Sequence, residues 1–420
     1  MIDLILIVIF SVLIVLHGSW IFLLLYPERK KYDEISPDIS IIMPAHNEEG
    51  IIESTINSVL EAEYSGKREI IVVNDGSSDR TAEIVRGLAE KDERIRLYET
   101  NHVGKAKAIN RGVENATNEI VVVLDADSML DSEALVKIVK PFSDKRVGGV
   151  SGIIRAIQTN NPLTWFQDLE YIVTSGWRYT CNRLDSTYIF PGFAAFRKGA
   201  LLETGGFSSD TLSEDFEIGL RLRKEGHVLV MSWATIYTKV PETFSGLMKQ
   251  RIRWGRGTIQ VIRKHFDVPF NKKYGAIGFY GIPTQMYWFI HGLTYLPVVF
   301  YQILSGYLKY FVASDNSLSL EAAAYFFRWF SFYGMVDFTY KTFIGEYEMS
   351  LVFVLTLVMF CLYILYDALV ITKIGKPSVR FLFVIFFLFP YSLFVLSLHV
   401  VPLFYELLKP GSANVWEKNK

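Results

Sequence analysis

Cysteine is nearly absent from this sequence. The only two, Cys181 and Cys361, stand far apart and lack metal-ligand spacing, which argues against a disulfide framework and against a cysteine-based zinc site. Charge of one sign is missing too. A net charge of −1 over 420 residues leaves no electrostatic footprint for nucleic acid, so no nucleic-acid partner is expected. There is no Gly-x-x-x-x-Gly-Lys-Ser/Thr loop, no repeat of fixed period and no low-complexity tract, which removes a P-loop site and a repeat array.

Apolar residues are plentiful. They make up half of the chain, the mean hydropathy is +0.24, and the excess lies at the two ends. Leu4 to Tyr26 is apolar apart from His17 and Ser19 and is long enough to cross a bilayer. It is longer than a signal-peptide core and has no basic region before it, so it reads as a retained anchor. Glu28-Arg29-Lys30-Lys31 follows, which puts the next domain in the cytoplasm by the positive-inside rule. Phe279 to Tyr307, Leu351 to Ile371 and Phe381 to Leu408 are further apolar segments, the last interrupted by Pro390 and Pro402. Ala322 to Phe343 carries Arg328, Asp337 and Lys341 and reads as an interfacial or extracytoplasmic helix, since charge at midplane depth is costly. Lys373, Lys376 and Arg380 favour the cytoplasm, and so do Lys409, Lys418 and Lys420. One crossing between them cannot satisfy both groups. Either 322–343 also crosses, or the proline-broken last segment does not cross simply.

Between the apolar ends, strands alternate with helices, the signature of a parallel sheet covered on both faces. Strands are expected at 39–43, 69–73, 95–98, 119–124, 147–154, 190–196 and 228–231. Helices are expected at 51–60, 81–91, 104–115, 132–142, 165–179, 198–203, 216–225 and 243–265. Polar clusters follow three strands, at 44–49, 74–79 and 125–127. Parallel strands end on one side, so all three clusters should meet at one sheet edge, where α/β folds bind ligands. Asp125-Ala126-Asp127 ends a run of β-branched residues. Alone, the pair also fits a solvated turn; beside the other clusters it reads as a divalent-cation and diphosphate site. Ser213-Glu214-Asp215 opens a helix whose acidic first turn suits the helix dipole, and Gln250-Arg251-Ile252-Arg253-Trp254 lies on a basic, amphipathic helix.

In one order, the chain carries Pro44-Ala45-His46-Asn47-Glu48, Asn74-Asp75-Gly76-Ser77, Gly104-Lys105 with Asn110, Asp125-Ala126-Asp127, Gly192, Glu214-Asp215 and Gln250-Arg251-Ile252-Arg253-Trp254. On these motifs it resembles the membrane-embedded family 2 glycosyltransferases of the polysaccharide-synthase type, such as hyaluronan, chitin, cellulose and poly-N-acetylglucosamine synthases. The resemblance implies an α/β fold of the GT-A type flanked by transmembrane helices, a nucleotide-diphosphate sugar donor (a UDP-sugar) and Mg²⁺ or Mn²⁺. It gives Asp127 to the metal and Asp125 to the ribose and metal. Ala45, His46, Glu48 and Asp75 line the nucleotide, and Lys105 reaches diphosphate or base. Gly192 lies close to the acceptor sugar, although Phe190-Pro191-Gly192-Phe193 departs from the better-known synthases. Asp215 is the general base, with Glu214 beside it. Gln250, Arg251, Arg253 and Trp254 serve diphosphate and acceptor.

The division implied is an anchor at 1–34, a cytoplasmic transferase domain at 35–241, interfacial helices at 242–275 and a membrane bundle with a short tail at 276–420. Such a protein would be a multi-pass protein of the cell membrane, in contact with its lipids. It would invert the anomeric centre and extend a β-linked saccharide polymer, with translocation. Two other readings share the sequence: a single-addition transferase acting on a lipid-linked acceptor, and a membrane protein whose cytoplasmic domain only binds nucleotide.

Overall fold

The computed structural model describes residues 2–27, 31–375 and 377–408. The basic run at 28–30, Lys376 and the tail from Lys409, on which the expected topology rests, lie outside the described residues.

The chain opens with α1 (Ile2–Leu25), then β1 (Ile39–Ala45), α2 (Ile52–Glu61), β2 (Arg68–Asp75), α3 (Thr81–Ala89), β3 (Ile95–Thr100), α4 (Lys105–Asn115) and β4 (Ile120–Leu124). It continues with β5 (Ser128–Leu130), α5 (Ala134–Val139), β6 (Val147–Ala156), α6 (Pro162–Arg183), β7 (Phe193–Arg197), α7 (Lys198–Glu203), α8 (Glu214–Lys224), β8 (Val228–Thr238) and α9 (Phe244–Lys264). The remaining helices are α10 (Ile282–Tyr307), α11 (Leu320–Trp329), α12 (Phe332–Phe343), α13 (Leu351–Lys373), α14 (Val379–Phe386) and α15 (Leu388–Leu408).

The eight strands form one sheet in the order β3-β2-β1-β4-β7-β6-β8-β5. β1, β2, β3 and β4 are parallel, with Met43 opposite Val72 and Ile42 opposite Val123. The fully parallel sheet expected from sequence is corrected beyond them: β7 is antiparallel to both β4 and β6, and β5 is antiparallel to β8. A short apolar strand buried on both faces reads the same in either direction, so its sequence does not encode its sense. β8 also runs past Met231 to Thr238, through alternating residues such as Trp233, Thr235 and Tyr237.

Both faces of the sheet are covered, as the period of two requires. Ile120, Val122 and Leu124 join Ile41, Met43, Ile70 and Val72 under α2 and α5 on one side. Val121 and Val123 join Ile42, Ile71 and Val73 under α4 on the other. Burying each such side chain stabilises the fold by roughly 1.5–3 kcal/mol.

The sheet is curled. Four strand spacings separate β4 from β5, about 19 Å in a flat sheet. Only residues 125–127 join them, and four Cα steps reach at most about 15 Å. The far edge therefore bends back, and β5 rests on α2, where Ser58 Oγ accepts from the Leu130 N–H at 3.1 Å and Thr55 Oγ donates to the Ala126 carbonyl at 2.9 Å.

Among the described residues three helices are long and apolar enough to cross a membrane: α1, α13 and α15. α10 is also long but carries Gln285, His291 and Gln302 and is not among the three. The expected helix at 322–343 is two helices of 10 and 12 residues, each short of the roughly 20 needed to span. The expected segment at 381–408 likewise breaks at Phe387. α6 docks on α13: Tyr366 Oη donates to the Val173 carbonyl at 3.0 Å, and a Cβ on Gly176 would lie 2.6 Å from Val370.

α8 is pinned by a close backbone approach. A Cβ on Gly219 would lie 1.9 Å from the Tyr188 carbonyl oxygen. Gly219→Ala is therefore expected to destabilise the fold by about 2 kcal/mol or more, measured as a lowered thermal midpoint. An unchanged midpoint would contradict this packing.

Candidate active site

β1, β2 and β4 end side by side, which gathers the clusters at 44–49, 74–79 and 125–127 along one edge as expected. Asn47, in the left-handed region at φ 55°, ties the first two together. Its N–H donates to Ser77 Oγ at 3.0 Å, and its Oδ1 accepts from the Ser78 N–H at 2.8 Å. Ala45 is buried at the end of β1, and Glu48 is buried below it, with its N–H donating to Thr81 Oγ at 2.8 Å.

Asp75 is wholly buried. Its carboxylate accepts from Thr100 Oγ at 2.7 Å, from the Val103 N–H at 2.6 Å and from the Gly104 N–H at 2.9 Å. It thus holds the loop that delivers Lys105. The sequence reading missed His102, whose ring lies 4.3 Å from that of His46; each ring has its Nδ1 within hydrogen-bonding distance of the Asp75 carbonyl. His46 and His102 stand at the ends of different elements, so no local motif signals the pair.

Lys105, at the start of α4, joins the rest. Its Nζ lies 2.7 Å from Asp125 and 3.2 Å from Glu214. Burial disfavours its charge, but Asp125 and Glu214 more than compensate and raise its pKa. Burial also works against ionising Glu214, yet Lys105, with Arg253 contributing, lowers its pKa. Asp215 behaves the other way. Burial, then the Glu214 charge, pushes its pKa up to about 6. Gly192, at φ 57°, packs beside the Asp125 carboxylate: a Cβ there would lie 3.2 Å from Asp125 Oδ2, and its carbonyl accepts from the Asp125 N–H at 3.0 Å.

Asp127 lies within reach of Ser128 and Thr238 hydroxyls at 3.4 and 3.3 Å. Burial and then the Asp125 charge push its pKa up to about 6. A carboxylate so disfavoured suits a divalent cation. Among the described residues no group of three or more His, Cys, Asp or Glu gathers there. A hard Mg²⁺-like ion held by one or two carboxylates would complete its shell with water and phosphate. Lys105 Nζ contacts one oxygen of Asp125, two residues before Asp127.

The Gln-x-x-Arg-Trp stretch lies on α9. Arg253 is within electrostatic reach of Glu214. Arg251 is committed elsewhere: buried, it makes two hydrogen bonds of 2.9 Å to Glu170 on α6, and Gln250 Oε1 accepts from it. Its guanidinium lies 4.3 Å from the Trp254 ring, and Trp254 leans on Tyr171 at 6.1 Å. Sequence also gave no sign of Arg178. It is buried among Ser151 Oγ, the Gly152 carbonyl and Ser175 Oγ, and burial lowers its pKa to about 10 against the pull of Asp215.

Comparison with known proteins bears on this arrangement. The model of "Glycosyl transferase family 2" matches residues 40–205. The poly-beta-1,6-N-acetyl-D-glucosamine synthase of Staphylococcus epidermidis is 31% identical over 323 residues, covering 74% of this chain and 76% of that protein. Its namesake from Staphylococcus aureus is 33% identical over 240 residues, and that match spans 56% of the relative's length and 54% of this chain. A solved mannosyltransferase of Pyrobaculum calidifontis, in complex with GDP-Man and Mn²⁺, has a TM-score of 0.59 at 22% identity over 90% of this chain and 99% of that one. That likeness bears on the fold, which is of the GT-A type. With the family model on the strand-and-loop core and a relative aligned over three quarters of both chains, this protein belongs to glycosyltransferase family 2.

Proposed function

We propose that this protein is an inverting transferase that moves a sugar from a UDP-sugar to a growing β-linked polysaccharide at the membrane. The observation that carries the proposal is the position of Lys105, in contact with both Asp125 and Glu214. It unites the sheet edge suited to a nucleoside diphosphate with the start of α8, where Asp215 stands. The names of the two staphylococcal relatives support an N-acetylglucosamine polymer, with UDP-N-acetylglucosamine as donor.

The acceptor hydroxyl attacks the anomeric carbon as the bond to the diphosphate oxygen breaks. The nucleoside diphosphate leaves with the electron pair, and Asp215 takes the hydroxyl proton. One base with no nucleophilic carboxylate between the reactants suits direct displacement, hence inversion. Lys105 and Arg253 supply positive charge near the leaving group. A cation on Asp127, Mg²⁺ or Mn²⁺, would supply Lewis-acid stabilisation of the diphosphate. Ala45, His46, Glu48 and Asp75 form or support the nucleotide wall, Gly192 leaves room beside Asp125, and Gln250 and Trp254 border the acceptor.

The same proposal divides the chain into an anchor at 1–34, a cytoplasmic transferase domain at 35–241, interfacial helices at 242–275 and a membrane bundle at 276–420. Exposed Phe244, Met248, Phe266 and Phe270 on and after α9 suit a lipid surface.

Purified protein with UDP-N-acetylglucosamine and Mg²⁺ or Mn²⁺ should give products that lengthen with time. Products carrying one added sugar would end the polymer reading and mark a single-addition enzyme acting on a lipid-linked acceptor. The raised pKa of Asp215 sets the pH dependence. The base must be ionised, so kcat/KM should fall about tenfold per unit as pH drops below about 6. A pH–rate profile at sub-saturating donor checks this, and a flat acid limb would remove Asp215 from the role.

A further inference from the structure

The segment that carries the proposed base is held from behind by a glutamine. Leu212 donates its N–H to Gln260 Oε1 on α9 at 2.9 Å, and the amide Nε2 of Gln260 donates to Glu406 Oε1 on α15 at 3.0 Å. Glu406 also accepts from Arg256 Nε at 2.7 Å and is buried. Two glycines allow the contact. A Cβ on Gly257 would lie 2.2 Å from Ser213 Oγ, and one on Gly255 would lie 2.5 Å from Pro402. α9 is thus sandwiched between the residues just before Asp215 and the end of an apolar helix.

The donor and acceptor pattern makes this arrangement directional. A carboxylate only accepts, so Glu406 compels the amide of Gln260 to face it with nitrogen. The amide oxygen must then face Leu212, whose N–H only donates. Without the carboxylate only the Leu212 N–H favours that orientation, and the Gln260 amide nitrogen loses the acceptor that holds the side chain in place. The flipped amide would set donor against donor and release Leu212 and Ser213, directly ahead of Glu214 and Asp215.

We infer that Glu406 is a positioning residue for transfer: through Gln260 it fixes the backbone that presents Asp215 to the acceptor. This inference rests on the assignment of Asp215 above. Glu406 lies two residues from the end of a helix apolar enough to span a bilayer, so it ties the orientation of the base to the seating of that helix.

The test uses the full-length protein, UDP-N-acetylglucosamine for turnover and UDP for binding. Glu406→Ala and Gln260→Ala should each lower kcat at least tenfold, with the donor KM and the UDP Kd within twofold of wild type. The double variant should be no slower than the worse single one, because both break one path. Gln260→Glu combined with Glu406→Gln reverses the bond between positions 260 and 406 but again gives each donor an acceptor, so it should recover much of the lost kcat. A role in packing alone would not produce that rescue. Multiplying effects, a raised KM with kcat intact, or failure of the exchanged pair to recover would each overturn the inference. If Glu406→Ala does not fold, Gln260→Ala and the exchanged pair decide. Asp215→Asn separates the two levels. If it is inactive while the Glu406 and Gln260 variants match wild type, the positioning role alone fails. If it is active, the assignment of the base fails first.

Discussion

Asp215→Asn is expected to reduce transfer at least a hundredfold while UDP binding stays within a few-fold of wild type. The substitution keeps shape and the hydrogen bond from the Phe216 N–H, 2.9 Å in the native protein, and removes only the proton acceptor. Loss of a general base typically costs 10²- to 10⁴-fold. Donor binding should survive because Lys105 keeps both of its carboxylate partners, Asp125 and Glu214. Turnover and calorimetric UDP titration of the same preparation check both halves. Transfer above a tenth of wild type would take the role of base from Asp215. Weak UDP binding would instead show that the charge of this side chain supports the donor site.

Asp127→Ala should act on the other half of the reaction. Wild-type protein is expected to bind UDP more tightly when Mn²⁺ is present, and the variant should lose that increment, roughly a hundredfold in affinity, in line with several kcal/mol of metal-borne charge stabilisation. Chelation with EDTA should bring wild type down to the level of the variant and leave the variant unchanged. A variant that still responds to Mn²⁺ would move the ion to another residue. The companion substitution Asp125→Ala frees Lys105 from its 2.7 Å contact, so it should weaken donor binding with or without metal.

The parallel half of the fold was legible in the sequence because its strands are apolar on both faces and each ends in polar residues. The register that aligns Asn47 with Ser77 and Ser78 follows from those strands being neighbours. The antiparallel half was not legible. β5 has three residues, too few for any period, and β7 has five, with nothing to report its direction. The motifs converge on one neighbourhood, but the contacts each residue makes there were not legible. Arg251 belongs to the Gln-x-x-Arg-Trp string, yet it is bound by Glu170, a residue 81 positions away that no local pattern connects to it. The Asp75 carboxylate accepts from two backbone N–H groups of the loop before Lys105, a contact no motif announces. His102, Arg178, Gln260 and Glu406 act through tertiary contacts alone, which is why the sequence is silent about them.

The curl of the sheet has a consequence for how this chain can vary. Residues 125–127 form a tight turn, closed by the Ser128 N–H donating to the Asp125 carbonyl at 3.1 Å, that joins the middle of the sheet to its curled far edge. One residue fewer would pull β5 off α2, where Ser58 and Thr55 hold it. One residue more would turn β5 over and send its inward side chains outward. The separation of the two carboxylates is therefore set by the curvature of the whole sheet.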